Sequence, residues 1–299
     1  MRNSMQRRIA LILVFIAVIL AVILLVRARR SAKEAEVSEE TGLSGEDFSE
    51  AVVENTPAQL LPLPGILSPG NIHPAATLLN TNTQFYSYKD EGSTITTAVG
   101  IDVSEYQGSV DYKKVRDAGI QFVIIRIGYQ GYETGRMVVD KTFYRNYLDA
   151  HEAGLPVGVY FFSQAVDIEE ARRAAGFVLA TLDGIEPELP IVYDYEVHHA
   201  DTARASDLSQ YSATASALAF CEVIRNAGHT PMIYMNDQAA YGKYDLDEFS
   251  NIPVWYASYV KAPELPCGFT CWQYSCTGSV SGVDGDVDLN LLFLQKENN

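Results

Sequence analysis

The feature that most constrains this chain is the alternation of short apolar segments with amphipathic segments between residues 99 and 236. The apolar segments have the length and composition of buried strands: VGIDVS (99–104), FVIIRIGY (122–129), PVGVYFFS (156–163), LPIVYDYE (189–196) and TPMIYMN (230–236). Three of the intervening helical patterns end in an Ala-Gly pair, at Gly119, Gly154 and Gly228, where glycine suits a left-handed helix cap. Apolar strands that alternate with helices predict an α/β fold whose parallel strands are covered by helices.

The helical patterns largely stop after residue 250. Three more strand-like segments follow with only loops between them: IPVWYASY (252–259), FTCWQYS (269–275) and VDLNLL (287–292). Five strand–helix units closed by a few further strands predict an α/β barrel. The alternative is an open, doubly wound sheet, which would normally continue its helices to the end. No G-x-G-x-x-G follows the first strand to support a dinucleotide-binding form of that sheet.

Acidic residues stand where such a barrel places its functional side chains, at the carboxyl ends of the strands. Asp194 and Glu196 lie two residues apart on one strand, so their side chains are expected on the same side, about 6–7 Å apart at Cβ. Each charge raises the pKa of the other carboxyl, which suits general-acid catalysis on a glycosidic oxygen. On this spacing alone, two solvated acids at a strand tip are the simpler interpretation.

Two further acids change that interpretation. Asp102 ends the first barrel strand and Asp288 opens the last one, and closure of a barrel makes these strands neighbours. We therefore expect Asp102, Asp194, Glu196 and Asp288 to converge at one mouth. Aromatic residues accompany them, and flat aromatic faces pack against sugar rings while amides and hydroxyls bind sugar hydroxyls. The predicted substrate contacts are Tyr160, Phe162, Tyr234, Asn236, Trp255, Trp272 and Gln273.

Six motifs in order along the chain carry a resemblance to a known family. They are GIDVSEYQG, FVIIRIGYQGY, GVYFFS, PIVYDYE, WQY and DGDVDLN, and together they span roughly residues 98–295. This part of the chain resembles the glycoside hydrolase family 25 lysozymes, which are N-acetylmuramidases. The resemblance implies a (β/α)5(β)3 barrel of the TIM type that cleaves the β-1,4 bond between N-acetylmuramic acid and N-acetylglucosamine in peptidoglycan. It implies no metal and no organic cofactor.

The resemblance also implies roles for the acids. Glu196 would be the acid/base that protonates the leaving oxygen, while Asp102 and Asp288 would hold Asp194 and the substrate. Asp194 would be either the nucleophile or the group that orients the substrate's own N-acetyl group for attack. Two acids on one strand lie on the same side of the bond, which favours the second role, and retention of configuration is expected. The alternatives are a peptidoglycan-binding barrel with weak or no activity, and a D-x-E hydrolase of chitin-like glycans. A passive scaffold in an envelope complex also stays open.

The N-terminal third differs in composition from the rest. Residues 9–26 form an unbroken apolar run whose 18 residues would span about 27 Å as a helix, close to the hydrocarbon thickness of a bilayer. We predict a short cytoplasmic segment (1–8), a transmembrane anchor (9–26), a flexible acidic and Pro-rich stalk (27–83) and the catalytic barrel (84–299), with a hairpin possible within residues 84–100. Peptidoglycan as substrate would place the barrel outside the cytoplasmic membrane. The alternative is a signal peptide that is cleaved from a secreted enzyme.

Other partners and sites are disfavoured. Residues 85–299 hold 15 Lys and Arg against 30 Asp and Glu, so no basic stripe is available for a nucleic acid. His198 and His199 follow the acidic pair, but neighbouring strand residues point to opposite faces, which argues against a metal site. DGDVDLN lacks the Gly and Glu of a calcium loop. The cysteines are either buried thiols or partly disulfide-bonded: Cys221, Cys267, Cys271 and Cys276.

Overall fold

A computed structural model describes residues 66–67, 70–89, 92, 94–198 and 202–296, all of which belong to one compact unit, Ser49–Asn299. Its strands are β1 (Ile66–Leu67), β2 (Leu79–Asn80), β3 (Ser87–Tyr88), β4 (Ile95–Val103), β5 (Phe122–Gln130), β6 (Met137–Val139), β7 (Val157–Phe162), β8 (Ile191–Asp194), β9 (Pro231–Asn236), β10 (Val254–Ala257), β11 (Cys271–Gly278) and β12 (Val287–Gln295). Its α-helices are α1 (Tyr112–Asp117), α2 (Phe143–Glu152), α3 (Ile168–Leu182), α4 (Gln210–Asn226) and α5 (Asp237–Gly242). Short 3-10 turns occupy Ala76–Leu78, Glu105–Gln107 and Leu246–Phe249.

Eight strands close into a barrel in the order β4, β5, β7, β8, β9, β10, β11, β12, and β12 pairs back onto β4. Neighbours from β4 to β11 are parallel, whereas β12 runs antiparallel to both β11 and β4. Five strands are each followed by a helix, and the last three are not. The predicted α/β barrel is therefore confirmed, and the open sheet is excluded because the first and last strands are hydrogen-bonded to each other.

The turns between helices and strands form as the Ala-Gly pairs predict. Gly119, Gly154 and Gly228 have φ angles of 105°, 81° and 95°, in the left-handed region that side chains rarely adopt. Each follows the last turn of α1, α2 or α4 and returns the chain to the next strand. Local sequence therefore sets the direction in which three of the strands enter the barrel.

The barrel interior has an apolar floor and a polar mouth because side chains alternate along each strand. The buried floor is built from Ala98, Phe122, Ile124, Val192, Met232, Cys271, Leu292 and Leu294, among others. Gly100 leaves room for the Phe122 ring to pack against its backbone, since a Cβ at residue 100 would lie 2.4 Å from that ring. Two residues further along β4 the inward position is Asp102, so the polar layer begins directly above this packed layer.

Residues 70–89 pack on the barrel as a strap, so the folded unit begins before residue 84 and the predicted stalk (27–83) overlaps it. Ile72 forms a bridge with Phe269, and the Asn71 side chain makes four hydrogen bonds to the chain between Phe249 and Thr270. Gly268 leaves room for this crossing, since a Cβ there would lie 2.6 Å from the Ile72 carbonyl oxygen.

The upper half of the strap lies against the outer face of the helix-free strands. The Tyr86 ring stacks on Tyr274 with centroids 4.1 Å apart, and Tyr88 contacts Phe293 edge-on. The strands β2 and β3 pair antiparallel as a short hairpin, and β3 also contacts β4, where the Tyr88 amide donates to the Thr97 hydroxyl. The ladder partner of β3 comes from residues 79–80, whereas residues 90, 91 and 93 of the predicted hairpin lie outside the described residues, so a hairpin within residues 84–100 stays a prediction.

The predicted anchor, residues 9–26, and most of the stalk lie outside the described residues. Among the residues that the structure describes, no helix is long and apolar enough to cross a membrane.

Candidate active site

A cleft of about 420 Å³ opens at the carboxyl ends of the parallel strands, where the sequence places its acids. Asp102, Asp194, Glu196 and Asp288 all line it, together with five of the seven predicted substrate contacts. Those five are Tyr160, Phe162, Tyr234, Trp255 and Gln273. Asp102, Asp194 and Asp288 lie on three different strands and Glu196 follows one of them, and folding of the barrel brings all four into one cleft.

Asp102 and Asp288 form an acidic pair across two neighbouring strands. They are register partners in the β4–β12 ladder, and their carboxyl groups share a hydrogen bond. Burial, followed by repulsion from Asp288, raises the pKa of Asp102 well above its usual value. Burial also raises the pKa of Asp288 to about 6. The pair therefore holds a proton at pH values where a solvated aspartate has lost it.

Asp194 and Glu196 form the second pair. β8 ends at Asp194, which is 7% exposed, and burial followed by repulsion from Glu196 raises the pKa of Asp194 well above its usual value. Burial also raises the pKa of Glu196, while a hydrogen bond with Tyr234 and the nearby His198 oppose that rise. Asp194 Oδ1 is buried and has no hydrogen-bond partner within the protein. Asp194 keeps a small exposed surface in the cleft lining, where a substrate N–H or O–H can reach its carboxylate.

Arg126 on β5 brings positive charge to this acidic lining. Its guanidinium donates to Asp140 Oδ2 over 2.7 Å and to Glu105 Oε1 over 3.1 Å, and it lowers the pKa of Asp194. The guanidinium carbon also lies 5.0 Å from the centroid of the Tyr106 ring. Because Asp140 is buried and fixed, Arg126 keeps one position on the cleft wall.

Aromatic side chains form one wall and part of the rim. Tyr160 and Tyr234 pack edge-on against Trp255, with centroids 6.0 and 4.9 Å away. Burial raises the pKa of both tyrosines well above the usual value, so their hydroxyls stay protonated and can donate hydrogen bonds. At the rim, the Tyr132 ring stacks on His198 at 4.1 Å. The cleft therefore offers flat apolar faces beside acidic groups.

Two predicted substrate contacts lie outside the cleft lining. Asn236 caps α5, where its Oδ1 accepts from the Ala239 amide over 3.0 Å. Trp272 is fully buried, points to the outer face of β11 and packs 5.5 Å from Tyr86 of the strap. A position near a strand end places a residue at the level of the cleft, but the alternation of side chains along the strand decides whether it faces inward. Cys271 faces inward, so the next residue, Trp272, faces outward.

Ten residues that line the cleft were not predicted from the sequence. They are Ser104, Glu105, Tyr106, Gln107, Arg126, Tyr129, Gln130, Gly131, Tyr132 and Tyr259. All of them except Tyr259 lie within two segments: SEYQG, which directly follows β4, and RIGYQGY, which contains the carboxyl end of β5. The position of these motifs at two strand ends was an available signal for them.

Neither a metal site nor a disulfide forms within the described residues. No group of three or more His, Cys, Asp or Glu side chains there is placed to hold a metal ion. His198 stacks on Tyr132, and His199 lies outside the described part of the chain. Cys221, Cys267, Cys271 and Cys276 are free thiols, of which Cys221 and Cys271 are buried.

Several known proteins are similar to this chain in architecture and in sequence. Lysozyme M1 of Streptomyces globisporus is 31% identical over 202 residues, which cover 64% of this chain and 66% of that protein. The autolytic lysozyme of Clostridium acetobutylicum is 28% identical over 196 residues, covering 64% of this chain and 54% of that protein. The solved bacterial lysozyme of Streptomyces coelicolor aligns with a TM-score of 0.53 at 28% identity, over 64% of this chain and 90% of that one.

The chain thus spans about two thirds and about half of the length of the two sequence relatives. The sequence profile described as "Glycosyl hydrolases family 25" matches residues 101–283, which is more than half of the 299 residues and includes Asp102, Asp194 and Glu196. Given this match and the closed barrel with its acidic mouth, the chain belongs to glycosyl hydrolase family 25.

Proposed function

We propose that the protein is an N-acetylmuramidase that cleaves the β-1,4 bond between N-acetylmuramic acid and N-acetylglucosamine in peptidoglycan. The observation that carries the proposal is the meeting of Asp102, Asp194, Glu196 and Asp288 in one cleft of a family 25 barrel. The lysozyme names of two relatives support the same substrate. The aromatic wall and the acidic lining suit a neutral, polar sugar chain.

Glu196 is the acid/base in this proposal. It is the more accessible member of its pair, and its raised pKa lets it carry a proton towards the glycosidic oxygen. After the bond breaks, the same carboxylate accepts a proton from the incoming water. The Tyr234 hydroxyl, which is hydrogen-bonded to Glu196, stabilises the carboxylate once the proton has left.

Asp194 orients the substrate in the same scheme. Its carboxylate, which lines the cleft, can accept the N–H of a 2-acetamido group, which turns the carbonyl oxygen of that group towards the anomeric carbon. The acetamido oxygen then forms the bond to carbon as the bond to the leaving oxygen breaks, and water later reopens the ring. Two displacements give net retention of configuration. Arg126 offsets part of the repulsion that Glu196 and Asp102 exert on the Asp194 carboxylate.

The test is the release of muropeptides from purified sacculi, followed by mass spectrometry, with the Glu196→Gln variant beside the wild type. We expect the wild type to release products with reducing N-acetylmuramic acid ends. The variant should be at least about 100-fold slower, because it lacks the proton donor. Glu186→Gln, which changes an exposed acid before the start of β8, at the end of that strand opposite the cleft, is the matched control and should keep full activity.

Three results would contradict the proposal. Equal product release by the wild type and Glu196→Gln would remove Glu196 from the chemistry. Tight binding of sacculi without new reducing ends would favour a glycan-binding barrel. Cleavage of chitooligosaccharides in preference to sacculi would favour a hydrolase of chitin-like chains.

We also propose that the enzyme is held at the outer face of the cytoplasmic membrane by residues 9–26. The unbroken apolar run supports an anchor, and a peptidoglycan substrate requires the barrel to lie outside that membrane. Membrane fractionation tests this location.

A further inference from the structure

Two aromatic side chains hold the amides that bind Asp102. Trp255 Nε1 donates to Asn290 Oδ1 over 2.8 Å, and Asn290 Nδ2 donates to Asp102 Oδ2 over 2.8 Å. On the other side, the Tyr259 hydroxyl donates to Gln273 Oε1 over 2.9 Å, and Gln273 Nε2 donates to the same Asp102 oxygen over 2.9 Å. Asp102 Oδ2 therefore accepts two N–H groups that come from two different strands.

These hydrogen bonds form a network with two arms, one from Trp255 through Asn290 and the other from Tyr259 through Gln273. The arms differ in how firmly the aromatic residue fixes the orientation of its side-chain amide. An indole N–H can only donate, so the oxygen of Asn290 must face Trp255 and its NH₂ group must face Asp102. A tyrosine hydroxyl can donate or accept, so Tyr259 tolerates either orientation of Gln273. Trp255 is 1% exposed and Tyr259 is 57% exposed, so the first arm is also the one shielded from water.

We propose that Trp255, and more weakly Tyr259, are positioning residues that act through Asn290 and Gln273 to keep Asp102 Oδ2 as an acceptor. The proton of the acidic pair then lies on the other edge of the Asp102 carboxyl, in the hydrogen bond with Asp288. A proton on Oδ2 would face two N–H donors, which is unfavourable in a site that is 5% exposed. The network thus decides which edge of Asp102 carries the proton.

Other ionisable groups also face Asp102 from the surrounding elements, and the network acts in their presence. They are Asp288 on β12, Asp194 on β8, Tyr160 on β7, Tyr234 on β9, Cys271 on β11 and Tyr259 after β10, with Arg126 of β5 on the same cleft wall. The acids among them favour a protonated Asp102. The two amide donors oppose that effect because they stabilise the carboxylate.

Removal of the indole N–H should therefore raise the pKa of Asp102. In Trp255→Phe the ring packing is largely kept, but nothing holds the Asn290 oxygen away from Asp102. A flipped amide then presents its oxygen to Oδ2 and favours the protonated acid. A hydrogen bond to a charged group has the strength to move a pKa by about one unit.

Carbon-13 NMR of the full-length chain labelled at the aspartate carboxyl carbons measures this shift directly. The titration step that Asp102→Asn removes identifies Asp102. We expect that step to move up by about one pH unit in Trp255→Phe. Trp272→Phe is the matched control, because it removes another fully buried indole N–H, one that donates to the Ser258 carbonyl outside this network. The control should leave the Asp102 step in place.

A second variant keeps the proposal testable if Trp255→Phe fails to fold. Gln273→Met removes the other N–H donor with little change in volume, and it should raise the Asp102 step in the same direction. The proposal is overturned if Asp102 titrates alike in the folded Trp255→Phe and Trp272→Phe proteins, or if Gln273→Met leaves the step unchanged.

The inference rests on the proposed function only for its catalytic consequence. If the enzyme is active on sacculi, the acid limb of kcat/KM should shift upward with the Asp102 step in Trp255→Phe and not in Trp272→Phe. An inactive wild type would defeat the proposed function, yet the NMR titration would still decide whether Trp255 fixes the proton.

Discussion

The cleft acids differ from one another although the sequence presents them as equivalent. Asp102 and Asp194 are buried, whereas Glu196 and Asp288 keep partial access to solvent. Burial raises the pKa of all four carboxyls, and repulsion adds to the rise for Asp102, Asp194 and Asp288. The sequence predicted that Asp194 and Glu196 each raise the pKa of the other, and this effect is found on Asp194. The pKa of Glu196 is raised by burial. Burial, which is the larger cause, depends on the walls of the folded barrel.

Replacement of Asp288 by Asn should stabilise the protein at neutral pH. A carboxyl whose pKa is higher in the folded chain binds more protons when folded, so the free energy of unfolding falls as pH rises between the two pKa values. For Asp288 these are about 3.8 and about 6. Asp288→Asn removes this cost, and we expect a gain of about 1–3 kcal/mol at pH 7.5 that is absent at pH 3.5.

Urea unfolding at the two pH values measures this gain, and activity on sacculi should fall in the same variant. Asp286→Asn, which changes an exposed acid two residues earlier, is the matched control and should change stability little at either pH. A gain of the same size at pH 3.5 and pH 7.5 would show that ionisation of Asp288 is not the cause.

The strap is the element that the sequence did not reveal. β10, β11 and β12 are not followed by helices, so the outer faces of β11 and β12 need another cover, and residues 70–89 supply part of it. Residues 70–83 include the end of a Pro-rich stretch and were predicted as part of the stalk, whereas residues 84–89 were predicted as the start of the barrel. Their order comes from contacts with residues about 180 positions away, such as those of Asn71 with Ile252 and Val254.

Asn71→Ala should loosen the strap and destabilise the barrel by about 2–4 kcal/mol. The change removes the acceptor of the Val254 amide and of the Thr270 hydroxyl, and it removes the Asn71 amide donor from the carbonyls of Phe249 and Ile252. The Phe249 carbonyl still accepts from the Ile252 amide. Chemical denaturation of Asn71→Ala beside Asn82→Ala, an exposed asparagine in the same strap, provides the measurement. Equal midpoints for the two variants would mean that the strap adds nothing to stability.

The chain enters the barrel on the side opposite the cleft. β1 pairs with β12 at Leu294 and Gln295, whereas Asp288, at the other end of β12, lies at the mouth.

Removal of the N-terminal run should release the enzyme without abolishing its activity. We expect the full-length chain to stay in the membrane fraction after an alkaline carbonate wash, and a variant lacking residues 1–30 to be soluble and active on sacculi. The reason is that residues 9–26 hold all the apolar length needed for a span, while the described cleft is complete without them. A mature wild type found in the medium and beginning after residue 26 would support the signal-peptide alternative instead.

The sequence by itself determined the strand–helix order, the glycine turns and the height of the acids in the barrel, because these depend on residues close together in the chain. Asp102 and Asp194 could be named as site residues because each ends an apolar strand. Only the tertiary structure decided that Trp272 faces the strap, that Arg126 and Tyr259 face the cleft, and that Trp255 holds Asn290 against Asp102. Those contacts join residues from different strands, and their geometry follows from barrel closure and strand register, which no local pattern specifies.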